Sequence, residues 1–136
     1  MCKGIAEALL QDEDAGRPLR AWSRVYRDSY QILYAFNKDL YGREPTPLIY
    51  LLKEEQVWSV WFVTKEGEYL ANTKQAFDTV NKAVAYAKKL MIDFNTGKLD
   101  SYKPLLLKGG NGDAANWTMI KENRDRKLGR KKFLWW

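Results

Sequence analysis

The chain has 136 residues, 46% of them hydrophobic and 29% charged, with a formal net charge of +6, which is the size and composition of one soluble globular domain. No apolar run approaches the roughly 20 residues that span a bilayer, and the stretch Met1 to Leu10 does not read as a secretory signal, because Glu7 interrupts it and Asp12-Glu13-Asp14 follows. One cysteine, Cys2, and no histidine exclude an internal disulfide, a zinc site of the usual Cys/His kind and any catalytic triad built on imidazole.

Residues Ile5 to Leu10 suit a short helix that breaks at Ala15-Gly16. From about Pro18 to Leu40 apolar residues recur at helical spacing, with Leu19, Trp22, Tyr26, Leu33, Phe36 and Leu40 on one stripe. That pattern predicts a long amphipathic helix. Its opposite side carries Arg20, Arg24 and Arg27 and continues through Gln31 to Lys38, which makes a basic face. Tyr41-Gly42, followed by Pro45 and Pro47, ends it.

Pro47 to Leu52 and Val57 to Thr64 read as strands, the second rich in the β-branched and aromatic residues that fit a pleated surface. Lys65-Glu66-Gly67 predicts a hairpin loop with glycine in the left-handed position, and a third strand is expected from about Glu68 to Lys74. A second helix is expected after a cap at Asp78 or Thr79, running to about Phe94 with Val80, Ala83, Val84, Ala87, Leu90, Met91 and Phe94 as its apolar stripe. Asn95-Thr96-Gly97 is its stop signal. Lys103 to Lys108 reads as an edge strand, Gly109 to Asp113 as a loop, and Trp117 to Ile120 as one more strand.

The fold expected is therefore α+β: an antiparallel sheet of three to five strands packed against two main amphipathic helices, with a single domain over 1–120 and a basic aromatic C-terminal tail over 121–136. The strand from Val57 is apolar on both sides, Val57, Trp61 and Val63 one way and Trp58, Val60 and Phe62 the other. One helix cannot cover both faces. The second helix is expected on one face and the long first helix on the other or at its edge, with a partner molecule or a homodimer as the alternative cover.

Without histidine, enzymatic chemistry would fall to carboxylates held in pairs across a cleft, and those of this chain fall mainly on turns and exposed helix faces. The glycine-rich run Gly109 to Asp113 lacks the Gly-Lys-Ser/Thr that opens a phosphate-binding helix. No catalytic residue, metal or cofactor is therefore expected. The charge is uneven: between Lys121 and Lys132, seven basic residues (Lys121, Arg124, Arg126, Lys127, Arg130, Lys131, Lys132) stand against Glu122 and Asp125, which accounts for +5 of the +6. Such a run releases counterions on meeting a polyanion and binds nucleic acid without reading sequence. Guanidinium groups at Arg20, Arg24 and Arg27 would take phosphates bidentately, with Lys38 beside them. Trp117, Phe133, Trp135 and Trp136 are the candidates for stacking or docking. The expected function is a small non-enzymatic, cytoplasmic accessory protein that binds nucleic acid or a ribonucleoprotein. The alternative is a protein-docking module, such as a structural subunit of a large assembly or a virus-encoded inhibitor of a host complex.

Overall fold

The computed structural model describes residues 19–129. The expected helix at Ile5 to Leu10, Cys2, and the tail from Arg130 to Trp136 lie outside them.

Two strands stand where the long first helix was expected. β1, Trp22–Arg27, and β2, Gln31–Phe36, pair antiparallel. The chain reverses at Asp28, whose Oδ1 accepts from the amides of Tyr30 and Gln31 at 2.7 and 2.8 Å, a local bond that competes with helix continuation. Trp22, Ile32, Tyr34 and Phe36 are buried on one side of the hairpin, while Tyr26 pairs with Leu33 on the other. A bulge between Arg24 and Tyr26 shifts the alternation of β1. Apolar residues on both sides, displaced by that bulge, reproduce the three-and-four spacing of a helix.

The middle of the sheet forms as its composition dictates. β3, Leu48–Glu54, pairs with β2 on one side and with β4, Val57–Lys65, on the other. Gly67 turns the next hairpin at φ +77, where a side chain would be strained. The single strand expected over Glu68 to Lys74 is split: β5, Glu68–Tyr69, pairs with the end of β4, a 3-10 turn at Ala71–Thr73 follows, and β6, Gln75–Phe77, returns to pair with Trp58 to Val60. β7, Leu105–Leu106, closes the far side against β5. Among the described residues the sheet thus has seven strands in the order β1-β2-β3-β4-β5-β7, with β6 beside β4, more than the three to five expected.

Two helices cover one face. α1, Val80–Asn95, begins at Thr79, whose side chain accepts from the Lys82 amide at 3.2 Å. α2, Ala114–Lys127, replaces the strand expected at Trp117 to Ile120, and the domain boundary expected after residue 120 falls inside it. Asp113 caps α2 by accepting from the amides of Ala115 and Asn116 at 3.0 and 3.1 Å. Trp117, Ile120 and Arg124, spaced three and seven residues on, form its buried side. Phe62 of β4 lies at the centre, with ring centroids of Trp22, Phe94 and Trp117 at 6.3, 5.6 and 6.1 Å. These rings meet edge-on or tilted, each such pair adding about 0.5–1.5 kcal/mol to its burial.

Candidate nucleic-acid interface

The folding of residues 22–36 into a hairpin moves the expected arginines from a helix face to a sheet edge. Arg24 and Arg27 are exposed on β1, the outermost strand, opposite Tyr34 and Ile32. They therefore project on the helix-covered side of that edge. Burial pushes the Tyr34 hydroxyl above its ordinary value of 10.0, and the positive charges of Arg24 and Arg27 offset part of that rise. Arg20 precedes β1, and its carbonyl accepts from Asn95 Nδ2 at 3.0 Å, while Asn95 Oδ1 takes the Trp22 indole N–H at 3.0 Å. This ties the start of β1 to the C-terminal end of α1.

Other cations gather at that end. The Asn37 amide donates to the Ala21 carbonyl at 2.7 Å, which sets exposed Lys38 next to Arg20. Exposed Arg43 follows in the same loop, and Asn123 of α2 donates to the Pro45 carbonyl at 3.2 Å. The last turn of α2, with exposed Arg126 and Lys127, is thereby anchored to this loop. Arg43 is a cation that the spacing of the sequence did not single out; its place depends on the loop between β2 and β3.

Two expected contact residues belong to the interior instead. Arg124 is 3% exposed; its guanidinium meets Asp100 at 2.6 and 3.0 Å, Asp125 at 2.8 Å and the Phe94 carbonyl at 3.0 Å. Burial opposes its charge, but the hydrogen bonds to Asp100 and Asp125 outweigh that and hold its pKa above the ordinary arginine value. With its donors committed, it has no fork to offer a phosphate. Trp117 is also buried, against Phe62 and Phe94, and so presents no ring for stacking from outside. Lys121 is half-buried, donating to the Asp100 carbonyl at 3.2 Å with its ammonium 5.4 Å from the Trp117 ring centroid. Arg130, Lys131, Lys132, Phe133, Trp135 and Trp136 lie outside the described residues.

The second face of the sheet carries no helix among the described residues. Leu33, Tyr50 and Trp61 sit opposite one another on β2, β3 and β4, and Tyr26 extends the row onto β1. Leu48, Val63 and Tyr69 make a second row. The division of β4 into a Trp58/Val60/Phe62 side and a Val57/Trp61/Val63 side follows from alternation in the sequence, and the first side is the buried one. Trp61 packs edge-on against Tyr69 at 5.1 Å, and the Lys74 ammonium lies 4.3 Å from the Trp61 ring centroid. Beside them is a concavity of about 230 Å³ lined by Tyr50, Leu52, Trp61, Val63, Tyr69 and Leu107 together with Glu54 and Glu68. Glu68 itself is buried and turned inward: its carboxylate accepts from the Thr64 hydroxyl at 2.5 Å and the Asp113 amide at 2.6 Å. A Cβ on Gly112 would lie 2.7 Å from that carboxylate, so glycine is what lets the loop close over it.

No protein-family model, curated protein or solved structure matches the chain. No described helix is long and apolar enough to cross a membrane, and no group of three metal-ligating side chains occurs among the described residues.

Proposed function

We propose that the protein is a small non-enzymatic accessory factor that binds nucleic acid or a ribonucleoprotein through cations along the β1 edge and at the adjoining end of the helical layer. The observation that carries this reading is how the internal charges are spent. Lys65, Lys82, Lys89 and Arg124 form ion pairs with the chain's own acids. Arg20, Arg24, Arg27, Lys38, Arg126 and Lys127 are exposed and have no ion pair among the described residues. Exposed cations outside ion pairs neutralise phosphates and release counterions, which favours binding without regard to base sequence.

Fluorescence anisotropy of labelled RNA and DNA across a range of salt tests it. Log affinity is expected to fall linearly with log salt, and replacing Arg20, Arg24 and Arg27 together by alanine should flatten the slope by about one for each phosphate that is no longer neutralised. Absence of any salt-dependent binding removes the reading. The uncovered aromatic sheet face favours one second reading, a protein-docking module, because tyrosine and tryptophan are enriched at protein interfaces. Docking of that kind would be nearly indifferent to salt.

A further inference from the structure

The geometry points to a more specific property of the same protein: the open sheet face is a base-stacking platform, centred on Tyr50 and Trp61 and served by Lys74, that selects single-stranded over double-stranded nucleic acid. This platform presupposes the nucleic-acid binding proposed above.

The face is built to present rings. Tyr26, Leu33, Tyr50 and Trp61 form one continuous row across four strands, a distance of about 14 Å at the spacing of neighbouring strands. The rings are held in place: the Tyr50 hydroxyl donates to Gln31 Oε1 at 2.8 Å, and Tyr69 braces Trp61 edge-on. The row ends at Tyr26 on β1, whose Arg24 and Arg27 project on the opposite, helix-covered side, so a chain laid along it must turn over that edge to reach them. The concavity beside Trp61, about 230 Å³, is smaller than the roughly 300–1,000 Å³ of pockets that enclose a whole cofactor. It suits one planar base entering edge-first.

Lys74 decides between occupants. Its ammonium rests over the Trp61 ring, and its side chain is exposed just ahead of β6. A protein groove without an acid would bury that charge at a cost. A nucleotide offers both things the position needs: the base takes the ring face, and the ammonium moves to the phosphate. Paired bases in a duplex are already stacked on one another and have no free face to give. Selection for single strands follows from that difference.

Titration of the full chain with labelled oligothymidylate and with a duplex tests this. The wild type should prefer the single strand. Trp61→Leu and Tyr50→Leu, which keep the surface apolar, should each weaken single-strand binding by about tenfold or more, leave duplex binding and the salt slope unchanged, and Trp61→Phe should restore much of the loss. Equal binding of both nucleic acids with no effect of Trp61→Leu overturns the platform while leaving polyanion binding intact. A dimer in sedimentation that Trp61→Leu dissociates assigns the face to a second copy and equally overturns it. If neither nucleic acid binds in a salt-dependent way, both the platform and the function proposed above are wrong.

Discussion

The two faces of β4 are made of nearly the same residues and have opposite fates. Trp58, Val60 and Phe62 are buried beneath α1 and α2, whereas Val57, Trp61 and Val63, alternating with them, stay at least partly open to solvent. On the covered side the aromatic rings pack against one another and close the core. On the other side no described element lies over them. Aromatic content alone therefore does not distinguish core from binding surface in this protein. What distinguishes them is where α1 and α2 can reach.

The sharpest way to break that contrast is to truncate neighbouring rings on opposite faces. Phe62→Ala should cost about 3–5 kcal/mol, read from urea denaturation, and Trp61→Ala about 1 kcal/mol; similar losses at both would mean that the open face is as tightly held as the core. Next in size is the anchor of the covering layer. Arg124→Ala removes the guanidinium that Asp100 and Asp125 share and should cost about 2–3 kcal/mol, less than the 3–5 kcal/mol of fully enclosed pairs, because Asp100 is 38% exposed. A smaller effect is expected from uncapping α1: Thr79→Ala should remove about 1 kcal/mol and leave any nucleic-acid affinity untouched.

The smallest effect concerns acid. The backbone amide of Asn116 and the ammonium of Lys65 hold Asp113 below its ordinary value of 3.8. A group whose folded pKa is lowered contributes fully above the unfolded value and loses that contribution as pH falls through the folded one. The stability that Asp113 gives α2 is therefore complete above about pH 4 and disappears below it. Asp113→Asn keeps a capping side chain, so its stability should fall less steeply with acid in that window than the wild type, measured by denaturation at fixed pH values. An unchanged acid slope would place the sensitivity elsewhere, at Asp28 or Asp78, which are lowered as well.

Local signals made part of this fold legible. β3, β4, the Gly67 turn and α1 with its Thr79 cap all follow from short-range pattern, because alternation, β-branching and capping act within a few residues. The hairpin of β1 and β2 was not legible, since a bulged strand with apolar residues on both sides imitates a helical stripe. α2 was hidden for a different reason: Arg124 occupies a position of its buried stripe that a hydrophobic residue would ordinarily fill. Its partner Asp100 lies 24 residues away, and no local pattern announces such a pairing. The same distance explains why Arg124 reads as a surface cation in the sequence. The tyrosine and tryptophan row across β1 to β4 was half legible, as one side of an alternating strand, but its emptiness depended on where the hairpin went.

The outer border of β1 has a consequence for how copies of the protein meet. A strand border without a partner is a template on which further chains can grow into fibrils, and this one, which has no neighbour among the described residues, combines a bulge with two exposed arginines. Two such borders approaching head to tail would set guanidinium against guanidinium and misalign their amide ladders. Propagation by strand addition is thereby discouraged from that side.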